Sequence, residues 1–206
     1  FLLLSNASQI DTSKIRAPDP SSANPSQTYN YSTIIQLALI AGFLEALPWG
    51  IAQAFFLNLG WNSWLSSSLI FSFFWGQLCL SAVLGKAIDF LQPKLILSSI
   101  GIGLIIIGAF THLNHQTIVP QLALFFILGG LSGAIYGLGL SLISKKSTES
   151  ELANEYAVYL KYFCVGALLI GGFAGYAMDN LGQAIYPISL AAIGFWIILI
   201  FYNPYR

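Results

Sequence analysis

The sequence predicts an all-α membrane protein with six transmembrane helices. Of its 206 residues, 56% are hydrophobic and only 8% are charged, whereas a soluble domain carries about 25% charged residues. Six apolar segments each reach the roughly 20 residues that a helix needs to cross a bilayer. Strands of a transmembrane barrel would alternate in polarity and be about half as long, so helices are predicted throughout.

Composition divides the chain into residues 1–32 and a transmembrane domain over residues 33–206. Residues 5–31, SNASQIDTSKIRAPDPSSANPSQTYNY, are rich in Pro, Ser and Asn. Such a segment buries too little apolar surface to fold and is predicted to be a flexible linker. The apolar Phe1–Leu4 is predicted to be the last turn of a preceding helix. We therefore expect the chain to be a fragment or a processed product of a longer protein.

The six predicted spans are separated by short joins that contain helix breakers. These breakers are Gly60 with Asn62, Pro93, Pro120, and the sequence Asp-Asn-Leu-Gly at residues 179–182. Glycine and proline at such positions favour turns over continued helix. The predicted spans are roughly 33–59, 64–85, 95–113, 119–143, 155–178 and 184–203.

Basic residues predict the orientation of these spans. Seven Lys and Arg residues fall on one side of the predicted topology, and the joins on the other side contain none. Because Lys and Arg concentrate in cytoplasmic loops, we expect an integral protein of the plasma or inner membrane with a cytoplasmic linker and C-terminus. The seven residues are Lys14, Arg16, Lys86, Lys94, Lys145, Lys146 and Arg206.

Glu45 is the main functional candidate. It lies about 18 Å along the first span, counted from Thr33 at about 1.5 Å per residue. A charge at that depth costs on the order of 2.5–3.5 kcal/mol on insertion scales. The carboxyl group must therefore find a partner, a proton or water, and a group with these needs suits proton coupling. The alternative interpretation is a protonated acid that hydrogen-bonds a neighbouring helix and only holds the bundle together.

The same span contains Pro48, which removes a backbone donor and strains the helix. Gly42 and Gly50 flank it, so these three residues are predicted to form a hinge, with a static kink as the alternative. Trp49 and Gln53 follow Glu45 at four-residue intervals and share its helix face. This face is predicted to line a cavity, although it would also suit a helix interface.

Other polar residues at depth extend the predicted pathway. Gln77 lies deep in span two, and Tyr136 in span four offers a hydroxyl group. Lys161 in span five either extends its side chain to the cytoplasmic interface or pairs with Glu45. Small residues repeat at four-residue intervals and predict close helix packing; they are Gly129, Gly133 and Gly137, and Gly171 and Gly175 with Gly172 beside them.

A Gly-x-x-x-Asp element ends the second helix of each group of three spans. Gly85 and Asp89 form the first element, which is followed by Lys94, and Gly175 and Asp179 form the second. The two elements fall on opposite membrane faces. Inverted-topology triplets of helices have this arrangement.

With these elements the chain resembles the C-terminal half of a major facilitator superfamily transporter. The family carries Gly-x-x-x-Asp-Arg-x-Gly-Arg-Arg in this loop, where Phe90 here replaces the first Arg and Gln92-Pro93 the Gly-Arg pair. The resemblance implies that Gly85, Asp89 and Lys94 form a cytoplasmic loop gate. It also implies a missing N-terminal six-helix half and alternating access to a small solute held between the two halves.

Other functions are less well supported by the residues. The two histidines, His112 and His115, are too few for a membrane metalloenzyme site, and no phosphate-binding loop is present. We therefore expect no enzymatic activity, metal or cofactor, and the zero net charge gives no reason to expect a nucleic-acid partner. The remaining alternative is a membrane assembly or structural subunit whose buried polar groups serve only helix contacts.

Overall fold

The computed structural model describes residues 31–182 and 184–202. Within these ranges it leaves out the side-chain surroundings of residues 82, 85, 87–89, 174, 175, 177, 179, 181, 201 and 202. The predicted linker before Tyr31 and the helix end at Phe1–Leu4 lie outside the described residues.

Every described element is helical, which confirms the all-α prediction. Helices occupy all six predicted spans, and the first span is interrupted by a π-helical turn. Four helices are long and apolar enough to cross a membrane: Tyr31–Asn58, Pro93–Leu113, Ile118–Lys146 and Glu149–Phe173. The elements are α1 (Tyr31–Leu47), the π turn (Pro48–Ala52), α2 (Gln53–Asn58), α3 (Ser63–Phe90), α4 (Pro93–Leu113), α5 (Ile118–Lys146), α6 (Glu149–Leu181) and α7 (Ile185–Tyr202).

The predicted breakers lie at helix ends. Gly60 takes a positive φ of 85° between α2 and α3, a conformation that glycine adopts without steric cost. The Asn62 side chain then accepts a 2.8 Å hydrogen bond from the Leu65 backbone N–H and caps α3. Pro93 occupies the first turn of α4, where its missing N–H costs nothing.

Helix α6 begins at Glu149, well before the predicted start of span five near residue 155. A capping box explains the extension: the Thr148 side chain accepts a hydrogen bond from the Glu151 backbone N–H, and Glu151 Oε2 accepts one from the Thr148 backbone N–H at 3.4 Å. The first two turns of α6 are polar, so helical structure here continues beyond the apolar span that the sequence analysis identified.

The helices pack mainly in three pairs: α1 with α6, α3 with α5, and α4 with α7. Glycines allow close backbone approach in each pair. A Cβ on Gly42 of α1 would overlap the Phe163 carbonyl of α6, and a Cβ on Gly129 of α5 would overlap the Phe73 carbonyl of α3. In the third pair, a Cβ on Gly101 would lie 2.7 Å from the Gly194 carbonyl oxygen.

The predicted glycine packing holds for only part of the set. Gly129 and Gly133 face α3, as expected, whereas a Cβ on Gly137, Gly171 or Gly172 would meet no atom within 4 Å. For these last three glycines the packing prediction is wrong within the described chain, because four-residue spacing defines a helix face but not whether a neighbour covers it.

Burial is uneven among the long helices. In an apolar 18-residue window of Glu149–Phe173 in α6, 11% of the residues are buried, against 56% in the corresponding window of Tyr31–Asn58. The α6 surface therefore exposes large apolar side chains such as Leu168 and Phe173. The first span is the centre of the bundle, and α6 is its periphery.

Candidate functional site

Glu45 lies where α1, α3 and α5 meet. Gln77 of α3 donates from Nε2 to Glu45 Oε2 at 2.9 Å. Ser132 of α5 donates from Oγ to the same oxygen at 3.4 Å. Gln77 and Ser132 are uncharged, so the carboxyl group is held by neutral donors contributed by two other helices.

The second carboxyl oxygen of Glu45 remains free. Oε1 has no hydrogen-bond partner in the part of the chain that the structure describes, and the residue is only half-buried. Lys161 forms no ion pair with Glu45 among these residues and is exposed on α6. The site can therefore accept a proton, water or a ligand on Oε1 without first breaking a contact.

An aromatic pair lies about one helical turn from the Glu45–Gln77 pair. Trp49 and Phe74 meet edge to face, with ring centroids 5.1 Å apart. Trp49 is four residues after Glu45, and Phe74 is three residues before Gln77, as antiparallel helices require. Both rings are exposed, Trp49 by 53%. We call Glu45, Trp49, Phe74 and Gln77 the α1–α3 seam.

Close packing of α3 on α5 fixes two sides of this site. A Cβ on Gly129 would lie 2.9 Å from the Gln77 backbone nitrogen, and one on Gly133 would lie 3.2 Å from Gln77 Cγ. Larger residues at either glycine would push α5 away from α3. Because Gln77 and Ser132 belong to this helix pair, the glycines set the distance at which both donors reach Glu45.

The predicted hinge residues take different positions, and the predicted cavity residue Gln53 follows them. Pro48 is buried and begins the π turn, Gly50 is exposed within it, and Gln53 starts α2 as a half-buried residue. Proline lacks the N–H that a regular helical turn would use, and π turns often lie at functional sites. Gly42 instead lies at the tight α1–α6 contact, where the space is filled by the Phe163 backbone.

Tyr136 lies away from the α1–α3 seam, at the contact between α5 and α6. Its carbonyl accepts a 3.4 Å hydrogen bond from the Tyr159 hydroxyl, and its ring packs on Tyr159 and Phe163.

In the predicted loop gate, Lys94 is exposed at the start of α4. Gly85 and Asp89 lie near the end of α3, and their side-chain surroundings are outside the description.

No family model, curated protein or solved structure matches this chain.

The sequence analysis missed two members of the site, Ser132 and Phe74. Ser132 lies in the small-residue run GGLSG, where the glycines drew attention to packing alone. Phe74 precedes Gln77 by three residues, a spacing that places both side chains on one helix face. That spacing was the signal available for Phe74. The partnership of Ser132 with Glu45 spans 87 residues and had no local signal.

Proposed function

We propose that this chain is half of a secondary transporter that moves a small solute across the membrane by alternating access, coupled to protons at Glu45. The supporting observation is the Glu45 site: a carboxyl group inside an apolar bundle, held by neutral donors, with one oxygen that has no partner among the described residues beside an exposed seam. Ionisable groups placed this way in membranes are characteristic of ion and substrate pathways.

An inverted repeat of two three-helix groups is supported by the helix contacts. Exchanging α1 with α5, α3 with α6, and α4 with α7 turns the α1–α6 pair into the α5–α3 pair and leaves the α4–α7 pair unchanged. Transporters built from inverted-topology repeats place their sites at the repeat interface.

The glycine contacts support the same exchange of helices residue by residue, beginning with the alignment of α1 with α5. Gly42 lies against Phe163 and Ala167, and Gly129 lies against Phe73 and Gln77 in the same way. Gly129 follows Gly42 at the same interval as Ser132 follows Glu45. On this alignment Glu45 and Ser132 occupy equivalent positions, so their hydrogen bond lies near the proposed two-fold axis.

The alignment of α3 with α6 supports the same exchange of helices. Phe73 and Phe163 are separated by the same interval as Gln77 and Ala167. The Gly-x-x-x-Asp elements at Gly85 and Gly175 repeat at this interval as well. Glycine contacts inside the bundle and the Gly-x-x-x-Asp elements at the helix ends thus support one repeat.

Orientation and the partner half are part of the proposal. Lys146 Nζ lies 5.6 Å from the centre of the Tyr31 ring, so the start of α1 and the basic end of α5 share one end of the bundle, which we propose is cytoplasmic. The exposed sides of α3 and α6 would contact lipid and an N-terminal six-helix half. An assembly subunit would use the same exposed α6 surface for a different membrane partner.

Transport in proteoliposomes tests the proposal. The full-length protein is reconstituted with an imposed pH gradient and a panel of cationic, neutral and anionic organic solutes. We expect gradient-driven accumulation of one solute class. Glu45→Gln, which keeps the hydrogen-bonding shape but cannot release a proton, should abolish accumulation.

Glu149→Gln is the matched control, because Glu149 is an exposed carboxylate in the first turn of α6 and its loss should leave accumulation unchanged. Wild-type protein that is folded yet accumulates no member of the panel would overturn the proposal. A stable membrane partner copurifying in mild detergent in that case would support the assembly subunit instead.

A further inference from the structure

The α1–α3 seam joins a carboxyl oxygen that has no partner among the described residues to exposed aromatic rings. From this juxtaposition we propose that the transported solute is a monovalent organic cation, bound by Glu45 Oε1 and by the faces of Trp49 and Phe74. The inference rests on the proposed transport function and adds its substrate class.

Charge at the seam favours a cation. Both groups bonded to Glu45 are neutral, so an ionised carboxylate there has no described counter-ion. The other acids whose side chains are described are Glu149, Glu151 and Glu155, which belong to the first two turns of α6 at the end of the bundle. Glu45 is therefore the only described acid in the apolar interior, and a cationic ligand would neutralise it.

Among the described basic residues, Lys161 lies nearest to the depth of Glu45 in the bundle. Helices α1 and α6 contact each other where Gly42 meets Phe163, so Lys161 lies nearer than Glu45 to the end of the bundle that contains Tyr31. Its side chain is exposed and can extend towards that end. Among the described residues, this placement leaves the seam itself without a positive group that would repel a cation.

The aromatic pair determines the kind of cation. A cation over the face of tryptophan or phenylalanine is attracted by the ring quadrupole, and tryptophan binds most strongly. Na⁺ prefers a shell of several oxygens, and the seam offers few. An alkylammonium group matches both halves of the seam, because its charge meets the carboxylate and its apolar surface meets the rings.

A single carboxyl group then explains coupling. Glu45 holds either a proton or the cation. Binding of the cation to protonated Glu45 displaces the proton to solvent, and protonation releases the cation. The exchange conserves charge at the site, with one proton for one monovalent cation.

Binding to the full-length detergent-purified protein tests this assignment, with benzyltrimethylammonium as the probe and neopentylbenzene as its neutral isostere. We expect the cation to bind at least tenfold more tightly than the isostere and to release up to one proton per site. Trp49→Leu should weaken cation binding about threefold to thirtyfold, and Trp49→Phe should weaken it less. Glu45→Gln should abolish both binding and proton release.

Trp75→Leu is the matched control. Like Trp49, Trp75 is an exposed tryptophan, but it lies on α3 and packs on Phe71, with ring centroids 6.0 Å apart, rather than on the seam. Its loss should therefore leave cation binding unchanged. Equal binding of cation and isostere would overturn the assignment, as would equal effects of Trp49→Leu and Trp75→Leu, or competition by NaCl that indicates a sodium site. Gradient-driven accumulation of a neutral or anionic solute would refute the cation class while leaving the transport proposal intact.

Discussion

At the residue scale, the defining feature is a carboxyl group whose partners come from other helices. Glu45 accepts hydrogen bonds from Gln77 and Ser132 through one oxygen. Polar contacts between membrane helices contribute about 0.6 to 2 kcal/mol. The contacts stabilise the meeting point of three helices and also orient the oxygen that has no partner among the described residues, so one residue combines a structural role with the proposed functional one.

A double-mutant cycle should measure this contact. We expect Glu45→Ala and Gln77→Ala to show a coupling free energy of about 0.5–2 kcal/mol, because each variant removes one end of the same hydrogen bond. Equilibrium unfolding in detergent provides the four free energies.

Glu45→Ala combined with Gln53→Ala provides the comparison, since no hydrogen bond joins Glu45 to Gln53 among the described residues. Their effects should add. A coupling between Glu45 and Gln77 no larger than that of the comparison pair would show that the contact does not form.

At the element scale, the first span departs from regular α-helix at Pro48, three residues after Glu45. The π turn at Pro48–Ala52 places the exposed Trp49 and Gly50 between two stretches that face the core with Leu47 and Phe55. A π turn accommodates an extra residue inside an otherwise α-helical segment. The turn therefore changes the surface of the span at the seam while the buried faces on either side are kept.

Deletion of Gly50 tests this interpretation. We expect the turn to become regular α-helix with a loss of less than about 1 kcal/mol in unfolding free energy, because Gly50 is exposed and a Cβ there would meet nothing within 4 Å. Thermal unfolding followed by circular dichroism measures the change.

Deletion of Leu39 is the matched control. It would rotate one side of α1 by about 100° relative to the other, remove buried side chains from the core, and cost more than about 3 kcal/mol. If both deletions unfold the protein equally, the π turn does not contain a removable residue.

At the scale of the whole molecule, the helix pairs are consistent with two related three-helix groups. The α1–α6 and α3–α5 pairs both close through glycines that leave no room for a side chain. Such contacts restrict the distance and angle between two helices more strongly than ordinary apolar packing does. The proposed repeat therefore requires equivalent glycines to have equivalent energetic roles.

Alanine substitutions should reveal this equivalence. Gly42→Ala and Gly129→Ala are each expected to lower the free energy of unfolding by about 1–3 kcal/mol, because the added Cβ overlaps a backbone carbonyl of the partner helix. The two losses should agree within about 1 kcal/mol in detergent unfolding experiments.

Gly137→Ala is the control on α5, where a Cβ would meet no atom within 4 Å. It should be neutral or slightly stabilising, because alanine favours helix more than glycine does. A tolerated Gly129→Ala beside a damaging Gly42→Ala would contradict the equivalence on which the proposed repeat depends.

The sequence by itself determined the helical class, the positions of the helices and the presence of an acid inside the first apolar span. These properties follow from composition, helix-breaking residues and the length of apolar segments, all of which are local along the chain. The capping box at Thr148 is local too, and its T-x-x-E pattern was available for the start of α6.

Only the tertiary structure decided which helices meet and therefore which residues surround Glu45. Helical periodicity defines the faces of a helix but not the neighbour that covers each face. For that reason Gly129 and Gly137, which belong to one series of glycines spaced four residues apart on α5, have different surroundings. Tyr136 likewise lies at the contact between α5 and α6 instead of the seam. Ser132 joins Glu45 across 87 residues, because α5 packs against α1 in the folded bundle.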